Sequence, residues 1–83
     1  MREPREVRDA KRVGNTIPDP QNSAEVISAV WIGDYYVVLC VYGMEYVVWS
    51  MDTEGNCENG NYYDRNPQGL IDATHKMIER ATR

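Results

Sequence analysis

Eighty-three residues are the length of one domain, and a domain this small buries a limited core and gains from a staple or a partner. Two cysteines, Cys40 and Cys57, make no disulfide framework, and the opening Met1-Arg2-Glu3-Pro4 lacks the apolar stretch of a secretory signal. Both thiols are therefore expected reduced in a soluble, cytoplasmic protein. The longest apolar run, Tyr35 to Tyr42, suits a buried strand and not a membrane span.

The net charge of −4 conceals three blocks. Residues 1–12 carry five basic against three acidic side chains. Residues 13–64 carry Asp19, Glu25, Asp34, Glu45, Asp52, Glu54, Glu58 and Asp64 with no Lys or Arg. Residues 65–83 return to basic, with Arg65, Lys76, Arg80 and Arg83 against Asp72 and Glu79. All eight aromatics, Trp31 to Tyr63, fall inside the acidic block.

In chain order, residues 1–23 read as a charged arm and a Pro-containing linker. Val7, Ala10 and Val13 have helical spacing after Pro4, so the arm is either a short docked helix or unstructured. Residues 24–83 read as the domain. Val26–Ile32 is a strand, and Gly33-Asp34 suits a two-residue hairpin turn with Gly first. Tyr35–Tyr42 is the second strand, Gly43-Met44 a second tight turn, and Glu45–Met51 the third strand. Asp52 to Asn56 places Asp and Gly where a turn closes on a left-handed residue. Cys57–Tyr63 is a fourth strand with a bulge at Gly60. Asn66-Pro67 starts a helix as N-cap and first residue. Its inward stripe is expected to be Leu70, Thr74, Met77, Ile78 and Ala81, with Ile71 at the edge. The fold class is α+β: a three- to four-stranded antiparallel meander packed by a C-terminal helix.

The turns fix the register, and both faces of the sheet come out apolar. One carries Val26, Ser28, Val30, Ile32, Val37, Leu39 and Val48. The other carries Ile27, Ala29, Trp31, Tyr36, Val38, Cys40, Tyr42, Val47, Trp49 and Met51. One helix covers one face, so the second needs the arm, a second copy of the chain or a different protein. Trp31, Tyr36, Tyr42, Trp49 and Met51 are the contact candidates, because aromatics dominate interface energetics.

The chemistry-bearing residues form no catalytic or cofactor pattern. Asp52 to Glu58 lacks calcium-loop spacing, since a calcium loop would need Gly at Cys57 and Glu at Tyr63. Cys40, Cys57 and His75 lack metal-ligand pairing, and Cys40 sits mid-strand where a thiol packs. No metal or cofactor is expected, and no enzymatic activity. A small enzyme or ligand-binding domain built on Cys40 and the tyrosine face is the minor alternative. Direct nucleic-acid binding is disfavoured because the strands carry no cation for phosphate, and Asn66-Pro67-Gln68-Gly69 lacks the lysine of a double-stranded-RNA-binding helix start.

The run Tyr46-Val47-Val48-Trp49-Ser50-Met51-Asp52-Thr53-Glu54-Gly55-Asn56-Cys57, then Gly60-Asn61-Tyr62 and a closing Ala/Met/Arg helix, resembles small bacteriophage-encoded accessory proteins of unknown role, especially from actinobacterial hosts. The resemblance spans residues 45–80 and transfers no catalytic residue. It implies a protein that binds and redirects or inhibits a host protein, host-defence factors included, in some cases through an acidic surface imitating nucleic acid. Asp52, Glu54, Glu58 and Asp64 are the residues expected to stand in for phosphates.

Overall fold

A computed structural model describes residues 17–82; the arm, read as either a short docked helix or unstructured, lies largely outside them. Four strands, β1 (Glu25–Trp31), β2 (Tyr36–Tyr42), β3 (Glu45–Met51) and β4 (Cys57–Asp64), form one antiparallel sheet in the order β1-β2-β3-β4. The helix α1 (Pro67–Ala81) follows directly. The α+β meander expected from the sequence is the architecture found.

Each turn is built by the glycine that the sequence places there. Gly33 has φ +117°, and Ile32 N–H donates to Tyr35 O at 3.0 Å across the first hairpin. Gly43 has φ +63°, and Tyr42 sits opposite Glu45. Such φ values carry no steric penalty for glycine. Strand ends differ from expectation by one residue, at positions where pairing gives way to turn.

Two details of side-chain placement depart from the simple alternation. First, β1 carries a bulge: Val26 pairs with Cys40 and Ser28 with Leu39, leaving Ile27 as the extra residue. A bulge reverses facing on one side of it, so Val26, not Ile27, packs beside Cys40. Second, the helix is rotated from its expected stripe. Gly69, Ala73 and Met77 are its buried residues, whereas Leu70 and Ile78 are exposed, Ile78 by 50%. The cause is close approach at the first turn. A Cβ on Gly69 would collide with the Asp64 carbonyl, so only glycine lets the chain turn from β4 into α1 this tightly. Asn66 caps the helix by accepting from Gly69 N at 2.7 Å.

The sheet consequently has two apolar clusters. Under the helix lie Val37, Leu39, Val48, Ala73 and Met77, flanked by Ile32, Tyr35, Tyr46, Tyr63 and Ala81. On the opposite face lie Ala24, Ala29, Tyr36, Val38, Cys40, Val47, Trp49 and Met51, with Ile17, Val26 and Cys57 packed against them. The linker segment supplies part of that second cover: Ile17 and Ala24 pack on the face. Gln21 N–H donates to Gly55 O at 2.8 Å and Gln21 Nε2 to Glu54 O at 2.7 Å. Gly55, φ +88°, leaves no room for a Cβ beneath the Asp19 carbonyl, so the β3–β4 turn and residues 19–21 fit together through that glycine.

Candidate interaction surface

The five aromatic and sulfur-bearing contact candidates do share one face, but they divide by depth. Tyr36, Trp49 and Met51 are core residues, with Met51 fully buried, and a partner docking on this surface would not reach them. Trp31 and Tyr42 stay open, 45% and 43% exposed. Tyr62, absent from the candidates the sequence marks, joins them at 53%. Its partner in the register is Val47, so beyond the β4 bulge it shares the face of Trp49.

The aromatic rings support one another. Trp49 meets Tyr42 edge-to-face at 5.5 Å and Tyr62 at 6.2 Å, so both exposed tyrosines are seated against one buried indole. Trp31 meets Tyr36 in the same manner at 4.8 Å. Such pairs stabilise by about 0.5–1.5 kcal/mol beyond area burial. A Cβ on Gly60 would come within 2.7 Å of Trp49 Nε1, so the bulge in β4 is where the indole is accommodated.

The acidic residues also divide, by position along the strands. The row Trp31, Tyr36, Met51, Cys57 marks one end of the sheet. Asp34 in the first turn, Asp52 and Glu54 in the third, and Glu58 gather there, joined by Asp19 through the contacts of Gly55. Asp64 pairs with Glu45 at the other end. Seven strand steps separate Cys57 from Asp64, about 23 Å, so Asp52, Glu54, Glu58 and Asp64 do not form one patch. Asp52 has an architectural role too. Its carboxylate accepts from Glu54 N at 2.8 Å, Asn56 N at 3.0 Å and Asn56 Nδ2 at 3.0 Å. The Asn56 side chain and then the backbone N–H groups hold its carboxyl below the usual range.

Arg80, which the sequence marks only as a charge, has a structural role. Its Nη1 donates to Val48 O at 3.0 Å, Asn59 O at 2.7 Å and Asn61 Oδ1 at 2.7 Å, and Nη2 donates to Ser50 Oγ at 2.7 Å. Opposite Trp49 the β3–β4 pairing shifts register, and Asn59 sits at φ +58°. Arg80 supplies donors to two backbone carbonyls, Val48 O and Asn59 O, at this interruption. A polar hollow of about 480 Å³ opens beside it, lined by Tyr35, Asn59, Lys76 and Glu79. Lys76 pairs with Glu79 at 3.2 Å.

Nothing brings the thiols and the histidine together. Cys40 is fully buried on the face away from the helix, and burial pushes its thiol up to about 12. His75 is exposed on the helix, across the sheet. Among the described residues no three His, Cys, Asp or Glu side chains lie close enough to hold a metal ion, and no helix is long and apolar enough to cross a membrane. No protein-family model matches the chain, and neither curated proteins nor solved structures give a match.

Proposed function

We propose that this chain is a small non-enzymatic interaction module, a bacteriophage accessory protein that binds a host protein and modulates or inhibits it. The observation that carries the reading is one end of the sheet, which bears the exposed Trp31 on β1 and, across the strands, the turns of Asp34, Asp52 and Glu54 with Glu58 on β4, with no Lys or Arg anywhere from residue 13 to 64. An open indole on the same end of the sheet as these carboxylates pairs an apolar anchor with a field that steers a basic partner towards it. The hydrogen bonds at Asp52 fix the turn carrying two of those carboxylates, so the surface is preorganised. The partner site fitting this surface is a basic cleft, most naturally one that otherwise holds nucleic acid. The inhibitory act is competitive occlusion. Tyr42 and Tyr62, at the other end of the same face, extend the contact.

The test is capture from actinobacterial host lysate with the intact chain, beside a variant carrying Trp31→Ala, Glu54→Lys and Glu58→Lys. Asp52 is kept because the turn depends on it. A protein retained by the intact chain at low salt, released as salt rises and lost with the variant is the expected result. Retention of the same proteins by both chains removes the reading.

A further inference from the structure

We propose that Asn59 is a site of spontaneous self-modification. The backbone nitrogen of Gly60 attacks the Asn59 carboxamide, ammonia leaves, and water opens the resulting succinimide to aspartate or isoaspartate. The sequence singles the position out. Of six asparagines, Asn59 alone precedes a glycine; Asn15, Asn22, Asn56, Asn61 and Asn66 precede Thr, Ser, Cys, Tyr and Pro. Glycine has no Cβ to obstruct ring closure and leaves the peptide freest to turn. Proline has no N–H to give up.

The fold sets this dipeptide where the reaction can run. Glu58 pairs with Ser50 and Asn61 with Val48, so Asn59 and Gly60 together stand opposite Trp49 as a bulge. Asn59 is exposed and takes φ +58°, a left-handed conformation that asparagine tolerates. Two hollows, of about 480 Å³ and about 310 Å³, have Asn59 in their lining, so water reaches the carboxamide.

Arg80 adds what a bare Asn-Gly pair lacks. Its Nη1 donates to Asn59 O at 2.7 Å, and that oxygen belongs to the same peptide unit as the Gly60 nitrogen. When the Gly60 N–H gives its proton to hydroxide, the negative charge of the peptide anion spreads onto this oxygen. A guanidinium already in place there stabilises it. The nitrogen then bonds to Asn59 Cγ, the carboxamide nitrogen takes a proton from water, and its C–N bond breaks to release ammonia. Water next breaks one of the two ring C–N bonds. Cleavage of the new bond gives aspartate; cleavage of the original peptide bond gives isoaspartate, whose main chain runs through the side-chain carbon. One water is consumed and one ammonia released.

Either product sets a carboxylate beside Glu58 and takes the net charge of −4 one unit further. The two differ in the backbone. Aspartate tolerates the left-handed φ as asparagine does. Isoaspartate lengthens the chain where there is no slack, since a Cβ on Gly60 would already meet Trp49 Nε1 at 2.7 Å. The added length presses on the indole that seats Tyr42 and Tyr62.

The experiment incubates the intact folded chain at mildly alkaline pH beside Asn59→Gly, which keeps the left-handed φ and removes the carboxamide. Peptide mapping by mass spectrometry locates amide-to-acid conversion, and isoaspartyl methyltransferase labelling measures isoaspartate. The expected result is conversion at Asn59 at least tenfold faster than at any other asparagine, with the label absent from that position in Asn59→Gly. The isoaspartate fraction melts below both the parent and Asn59→Asp. An Asn59 that stays amide in the folded chain while converting in urea overturns the inference, because the bulge then blocks ring closure. Faster conversion at another asparagine overturns it too. Arg80→Met, checked for a folded spectrum, isolates the guanidinium: it converts like the parent in urea and several-fold more slowly when folded. Equal or faster conversion in the folded variant overturns the role given to Arg80.

Discussion

Replacing Arg80 with Met removes four hydrogen bonds while keeping most of the aliphatic stem that lies along the sheet. Hydrogen bonds from a charged donor contribute about 1.5–3 kcal/mol each where buried. Here the full sum does not apply. Asn59 O is exposed and regains water, while the bonds to Val48 O, Asn61 Oδ1 and Ser50 Oγ are partly buried. Three bonds at the lower value, discounted by half for access to the adjoining hollow, come to about 2–3 kcal/mol. A domain of this length has about 4–12 kcal/mol in total, so the change is a large share of it. Urea unfolding followed by tryptophan fluorescence measures it as a lower midpoint at unchanged slope. Thermal unfolding should fall by about 10–20 °C, at 4–8 °C per kcal/mol for domains this small. Arg80→Lys should recover less than half, because one ammonium cannot span acceptors on two strands and the bulge between them. A loss under about 0.5 kcal/mol for Arg80→Met would mean that water serves those carbonyls equally well, and the account of the bulge would fail.

Trp49→Ala should destabilise by about 3–5 kcal/mol as a core truncation, whereas Trp31→Ala should cost well under half of that; chemical denaturation of both variants checks the division into core and surface. Cys40 should resist thiol reagents in the native state at neutral pH and react only on unfolding, as its raised pKa and full burial require; mass spectrometry of alkylated peptides reads this. Because its folded pKa lies above its unfolded one, the stability Cys40 contributes is present below about 9 and is lost as pH rises towards about 12, so Cys40→Ala should flatten the alkaline limb of a stability curve. Asp52 works in the opposite sense. Its folded pKa is lowered, so its contribution is present above the ordinary carboxyl value of about 3.9 and fades as pH falls through the folded one. Asp52→Ala should melt lower at neutral pH, and the gap to the parent should close in acid.

Turn chemistry made most of the fold legible. Gly33, Gly43 and Gly55 each take the positive φ that their turns require, and Asn66-Pro67 opens the helix as cap and first residue. Once those points are fixed, strand pairing follows, because each turn sets the register of its hairpin. Two things escaped, for related reasons. The bulge at Ile27 carries no glycine or other marker, so alternation counted straight through it puts Val26 on the wrong face. The helix stripe was read from large apolar residues, and these pointed to Leu70 and Ile78. Packing was instead decided by the smallest ones, Gly69 and Ala73, together with the reach of Arg80 into the sheet. Hydrophobic periodicity sees the first kind of residue and is blind to the second.

The same blindness shaped the surface. A face rich in Trp, Tyr and Met reads as interface in sequence because nothing in one strand says which rings lie beneath others. Depth is set by cross-strand neighbours: Trp49 is covered because Tyr42 on β2 and Tyr62 on β4 close over it from both sides. Trp31 stands open on β1, which among the described residues is an edge strand of the sheet. Position in the sheet order and along the strand together therefore separate core aromatics from contact aromatics. Trp31 is also the one that stands at the acidic end, beside the turn bearing Asp34 and at the same end of the sheet as Asp52 and Glu54. A chain of this size holds its fold with central-strand aromatics and has only edge-strand and strand-end aromatics left for recognition. That division makes Trp31, Tyr42 and Tyr62 the residues on which any partner of the aromatic face must be tested.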